Sequence, residues 1–203
     1  MTSEEQILLL MNESLINPRN FKEEDIFSDF IASDGIDISL DELISEISEM
    51  KEEYPTVNKT NVGGYQSPNF DKECPYKKFN ELRSACISCA QQYMISRYNT
   101  LVSSTKYDWW CNINHYGHFN QIHHHKKTDL IGLFYIKTPS NSGALRLIRN
   151  DGSSYTNLYK NTEYRLIPEE GRCYLFPGHL WHMVEPHGSD EERISVSFNM
   201  YMN

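Results

Sequence analysis

Hydrophobic and polar positions change period partway along the chain. Leu40, Leu43, Ile44, Ile47 and Met50 recur at helical spacing behind Ser39-Leu40-Asp41-Glu42, which has the form of a capping box. An amphipathic helix is predicted over residues 40–53. Shorter helices are expected over residues 4–15 and 23–31, punctuated by Pro18 and Gly35. Residues 56–75 are rich in Asn, Gly, Ser and Pro and predict a long irregular connection, with Gly63-Gly64 at a tight turn or a close backbone approach. A second long helix is expected over residues 76–100, with Leu82, Ala85, Cys86, Cys89, Ala90, Tyr93 and Met94 along one side.

Beyond Tyr107 the period shortens to two. Trp110, Asn112 and Asn114 alternate with Cys111 and Ile113, and residues 130–136, 172–176 and 193–200 are strand-like. Turn-forming residues separate these runs at 139–143, 150–152, 169–171 and 187–190. Many short strands joined by hairpins, with helices confined to the N-terminal half, predict a mainly β fold: a double-sheet jelly roll covered on one side by helices. In the last strand Arg193, Ser195, Ser197 and Asn199 share one face and Ile194, Val196 and Phe198 the other. The polar face meets solvent or lines a cavity. If residues 187–190 reverse the chain, this strand lies against residues 179–184 and brings Arg193 close to His182, which favours the cavity.

A chain of 203 residues accommodates one sizeable domain with an N-terminal elaboration. The expected division is an acidic helical segment, 1–55, that packs on or extends a β domain, 56–203. The net charge of −9 is concentrated: residues 1–55 hold 15 acids against 3 bases, and the rest is slightly basic. A solvated helical face is the ordinary reading of that acidity, and a docking surface for a basic partner is the sharper one. Only short basic pairs such as Lys77-Lys78 and Lys126-Lys127 occur, so nucleic acid is a disfavoured partner. Five cysteines without framework spacing, and no basic, apolar leader, point to reduced thiols in a cytoplasm. No apolar run is long enough to cross a bilayer.

All eight histidines lie between residues 115 and 187. On a strand His123 and His125 point to one face and His124 away from it, so the pair can reach one ion while His124 packs or meets solvent. His182 offers a third imidazole from a distant strand. Such a set suits iron, zinc or copper and leaves open positions for water, a co-substrate and dioxygen. His179 and His187 read as loop residues. Arg193 with Ser195 reads as a seat for a carboxylate, against the alternative of a surface ion pair with Glu191 or Glu192. Strand alternation makes Asn112, Asn114, Asn120, Tyr135 and Asn199 candidates to line the cavity, with Asn112, Tyr135 and Asn199 as candidates to bind a cofactor. Trp109, Trp110 and Trp181 read as core or rim, and Cys86-x-x-Cys89 as helix packing.

These residues carry a resemblance. Trp110 to Gly117, Asn120 to His125, Gly132 to Tyr135, Gly171, Phe176-Pro177, His182 to Pro186 and Arg193 to Asn199, with Asn61 to Ser67 upstream, resemble the 2-oxoglutarate/iron(II) oxygenases common in cyanobacteria-infecting and related phages. The resemblance spans residues 61–199. It implies a cupin-like double-stranded β-helix barrel related to prolyl hydroxylases, with iron(II) held by His123 and His182 and the distal carboxylate of 2-oxoglutarate seated on Arg193 and Ser195. His125 stands where that superfamily usually has Asp or Glu, so three imidazoles would leave the iron one negative charge short. The implied activity is a dioxygenase that hydroxylates a protein or peptide side chain, prolyl among the candidates, releasing succinate and CO2, with ascorbate as an expected stimulant. The alternatives are the same chemistry on a small metabolite or nucleobase, and a non-catalytic cupin-like binding module.

Overall fold

A computed structural model describes residues 22–26, 29–99, 104–148 and 163–202. The helix expected over 4–15 and the turn at 150–152 lie outside the described residues. The elements run β1 (Lys22–Ile26), β2 (Asp29–Gly35), α1 (Leu40–Glu53), β3 (Asn61–Val62), β4 (Tyr65–Gln66), α2 (Lys77–Tyr98), β5 (Ser104–Asn114), β6 (Phe119–His123), β7 (Leu130–Lys137), β8 (Leu145–Ile148), β9 (Glu163–Leu166), β10 (Arg172–Pro177), β11 (Trp181–Val184) and β12 (Arg193–Met202).

Two antiparallel sheets face each other. The major sheet has the order β1-β2-β10-β7-β12-β5-β4, and the minor sheet β3-β6-β11-β8-β9. This is the expected jelly roll, with helices on one side, although among the described residues no ladder joins the sheets into a closed barrel. Strand alternation divides the major sheet between two cores. Phe30, Ala32, Trp109, Cys111, Phe134, Val196 and Phe198 pack outward against α1 and α2. Ile31, Ile131, Leu133, Tyr135 and Phe176 turn inward, against Leu145 and Leu147 of the minor sheet.

Both long helices lie where their periodicity puts them. Ser39 caps α1, its side chain accepting from the Glu42 amide, and Leu43, Ile47 and Met50 are its buried stripe. Tyr76 opens α2 without a side-chain cap. Glu46 of α1 supplies one, its carboxylate accepting from the Lys78 and Phe79 amides at 2.8 Å each. Part of the N-terminal acidity therefore fastens the helix pair together. Cys86 and Cys89 are fully buried on the core face of α2, as packing residues.

The helix expected over 23–31 is replaced by β1 and β2. Phe30 and Ala32 face the helices and Ile31 faces the other sheet, so this short run is apolar on two opposed faces. A strand buries both faces at once, and pairing with β10 supplies its backbone partners. The connection over 56–75 is mostly irregular, but β3 and β4 interrupt it as edge strands on either side of Gly63 and Gly64, whose φ values are +67° and +71°.

The expected neighbour of the last strand is also corrected. β12 does not lie beside β11. It pairs with β5 and β7 in the centre of the major sheet, whereas β11 pairs with β6 and β8 in the minor one. Ile194, Val196, Phe198 and Met200 need the helix-covered core, and among the described residues only the major sheet meets those helices. Residues 185–192 therefore cross from one sheet to the other instead of making a hairpin.

Candidate active site

The crossover puts the polar face of β12 opposite β6 and β11, across a cavity of about 330 Å³ between the sheets. Three rows of side chains can be read from the strand register. Arg193 is level with Asn114; Ser195 stands between Asn112 and Tyr135; Ser197 stands between Trp110 and Leu133. All eight line the cavity. The period of two seen in the sequence thus faces a polar interior: Arg193 is 2% exposed and Ser195 6%.

At the minor sheet, His182 and His123 are direct register partners, and the register then shifts between His182 and Val184, so that Val184 meets Asn120. The resulting bulge lets both Asn120 and His123 line the cavity. His125 lies beyond the end of β6, so strand alternation does not place it. Its amide donates to the Gly178 carbonyl, and the Thr128 amide donates to its own carbonyl. This close loop carries the His125 ring back beside the other two, while His124 packs on Trp181 at 4.6 Å between centroids.

His123, His125 and His182 each offer a ligand atom within 4.8 Å of the others. Their ring centroids are 5.2, 4.2 and 5.1 Å apart. In each ring Nδ1 meets an oxygen: Gln121 O at 2.7 Å, Asn199 Oδ1 at 2.5 Å and Leu180 O at 2.9 Å. An Nδ1 against an acceptor carries the proton, which leaves each Nε2 lone pair free for a metal. Burial lowers the proton affinity of all three; His125 is pushed down to about 4, and His182 is held well below the usual histidine range, with His123 and His125 adding to the effect. The donor set therefore fits a divalent metal that prefers imidazole, and it contains no carboxylate.

Arg193 occupies the other end. Its Nη1 donates to the Ser142 carbonyl, which also accepts from His187 Nδ1. No carboxylate among the described residues pairs with this guanidinium, which removes the alternative of an ion pair with Glu191 or Glu192. Burial lowers its pKa from the usual arginine value, and burial likewise pushes the neighbouring Tyr135 hydroxyl up to about 12. A buried, uncompensated cation beside Ser195 and a neutral Tyr135 is a ready seat for an anion.

The eight candidate metal and cofactor residues, His123, His125, His182, Arg193, Ser195, Asn112, Tyr135 and Asn199, line this one cavity, as do Asn114 and Asn120. Asn112 Nδ2 donates to Ser197 Oγ at 3.2 Å, and Asn199 is committed to His125. His187 is a loop residue as expected, yet it is 1% exposed, and with Ser142 it braces Arg193. Sequence reasoning missed that brace and the role of Gly178. Both run through backbone carbonyls of distant segments, Ser142 and Gly178, and residue type carries no trace of them. Among the described residues no helix is long and apolar enough to cross a membrane.

Residues 108–199 match a family described as "Putative 2OG-Fe(II) oxygenase". No curated protein matches the chain. Solved structures with this fold include a Pseudomonas putida prolyl-4-hydroxylase, at 14% identity, TM-score 0.58 and 100% coverage of both chains. A Trichoplax adhaerens prolyl hydroxylase in complex with a hypoxia inducible factor peptide fragment is 16% identical, with a TM-score of 0.61, over 98% of this chain and 90% of that one. HygX from Streptomyces hygroscopicus, solved with nickel and 2-oxoglutarate bound, is 12% identical, with a TM-score of 0.60, over 84% of this chain and 82% of that one. Residues 108–199 thus match the 2OG-Fe(II) oxygenase family model, and the chain shares its fold with the solved prolyl hydroxylases.

Proposed function

We propose that the protein is a 2-oxoglutarate- and iron(II)-dependent dioxygenase that hydroxylates a side chain of a protein or peptide. The observation that carries this reading is the pairing, in one cavity, of a neutral three-imidazole cluster with a buried arginine that lacks a counter-charge. His123, His125 and His182 would hold the metal, and Arg193 with Ser195 the distal carboxylate of the co-substrate. When bound, iron(II) and 2-oxoglutarate supply the oxidation, inserting one oxygen of O2 into a substrate C–H bond as succinate and CO2 leave.

The chain's own residues bind, orient and exclude water. Arg193 fixes the co-substrate by a charge-assisted contact that is strong because the guanidinium is dry. Ser195 and Tyr135 can donate hydroxyl protons beside it. Leu133, Ile131 and Phe176 wall the inner side and keep bulk water away. Trp110 stands next to His125, 5.9 Å between centroids, and with Lys59, Asn69 and Lys126 forms the part of the lining from which a substrate side chain would enter.

A macromolecular substrate is favoured by the prolyl hydroxylases among the proteins that share this fold, one of them solved with a peptide fragment bound. The test is succinate formation by the purified protein with iron(II), 2-oxoglutarate and ascorbate, in the presence of either a peptide library or a pool of small metabolites. Turnover and a +16 mass shift in the peptides support the reading. Turnover confined to the metabolite pool would move the substrate to small molecules, and no succinate in any mixture would contradict dioxygenase chemistry.

A further inference from the structure

The donor set is three imidazoles, and His125 stands outside the strand that carries His123, so a contact other than the strand must fix its ring. The residue that does so lies in the opposite sheet. Asn199 sits near the C-terminal end of β12, between Asp108 of β5 and Ile131 of β7 in the register, so its strand is paired on both sides at this level. Its Oδ1 lies 2.5 Å from His125 Nδ1. The other two rings are fixed differently: Gln121 O and Leu180 O are backbone carbonyls only two residues from the ring they hold. His125 alone depends on a side chain, contributed from 74 positions away.

We infer that Asn199 is the positioning residue that makes His125 a metal ligand. It accepts the Nδ1 proton, fixes the tautomer with the lone pair on Nε2, and turns that atom toward His123 and His182. This rests on the reading that the three histidines hold the metal, and it assigns Asn199 to the ligand set instead of to 2-oxoglutarate. A neutral amide brings no charge. A carboxylate at the same place would accept the same proton and raise the basicity of the imidazole, as the carboxylate partners of metal-bound histidines do.

The experiment is anaerobic chelator competition for iron(II) with the wild-type protein and three variants. Asn199→Leu, of similar size but without an acceptor, is expected to bind iron about 10-fold to 100-fold more weakly. Asn199→Asp, which keeps the acceptor, is expected to bind at least as tightly as wild type. Wild-type affinity in Asn199→Leu would overturn the inference. So would an equal loss in both Asn199 variants, since that marks a role in packing and not in accepting the proton. His182→Ala tests the underlying metal site separately: it should bind iron far more weakly than wild type, and unchanged affinity there would sink the three-histidine site itself.

Discussion

His123 and His182 are direct partners in the β6–β11 ladder, with ring centroids 4.2 Å apart. Two imidazoles brought this close and buried are held neutral by their surroundings, and His125 completes a trio whose members all bind protons more weakly in the fold than in water.

That depression fixes the sign of a pH effect. In the unfolded chain each histidine titrates near about 6.5. Below that value the unfolded state takes up protons that the folded state refuses, so stability is fully present above about pH 6.5 and is lost as pH falls through the folded value of about 4 for His125. Thermal unfolding of the metal-free protein between pH 7 and pH 4 should show this decline, and His125→Gln should make it shallower. An identical slope in the variant would contradict the assignment.

Arg193 supports a prediction with two opposite signs. A buried guanidinium without a carboxylate partner costs desolvation free energy, which an apolar side chain of similar length avoids. Arg193→Met should raise the melting temperature of the metal-free protein by a few degrees, corresponding to about 1 kcal/mol. It should also remove the further stabilisation that 2-oxoglutarate gives the wild-type protein. Differential scanning fluorimetry with and without 2-oxoglutarate reads both.

The loop that carries His125 depends on a close backbone contact. A Cβ at Gly178 would stand 2.1 Å from the Thr128 carbonyl oxygen, a backbone atom that cannot swing away. Gly178→Ala should cost about 1–3 kcal/mol of stability through overpacking and weaken iron binding by displacing His125. Gly35→Ala, where an added Cβ has nothing within 4 Å, is the control that should leave both unchanged.

Most of the architecture was legible because its signals were local. The stripe from Leu43 to Met50 and the alternation from Arg193 to Asn199 each declare one element and its buried face. The nature of β2 was not: residues 29–35 are short, and a run apolar on two faces reads as helix or strand until its partner β10 is known. The neighbours of β12 were hidden for a related reason, since proximity in sequence favoured β11 while the need of Ile194, Val196 and Phe198 for the helix-covered core decided the pairing. At the site, His123, His125, His182 and Arg193 were legible as residue types with suitable spacing. The geometry that joins them was not, because the bulge at β6, the Gly178 contact and the Asn199 brace are all tertiary.

Glu46 links the acidic helix to the next one. Its carboxylate caps the uncapped start of α2. Glu46→Ala should therefore destabilise the protein by about 1–2 kcal/mol, read as a lower midpoint in urea, and leave iron affinity unchanged. A loss of iron binding there would show that the helix layer controls the site more tightly than the packing indicates.

The central claim is that one cavity holds iron(II) on three histidines and 2-oxoglutarate on Arg193. The most direct test is anaerobic titration of the iron-loaded protein with 2-oxoglutarate, followed in the visible spectrum. The account predicts a saturable metal-to-ligand charge-transfer band in the wild-type protein that is absent in His125→Ala and shifted to far higher 2-oxoglutarate concentrations in Arg193→Met. No band in the wild-type protein, or a band of unchanged intensity and affinity in both variants, would contradict it.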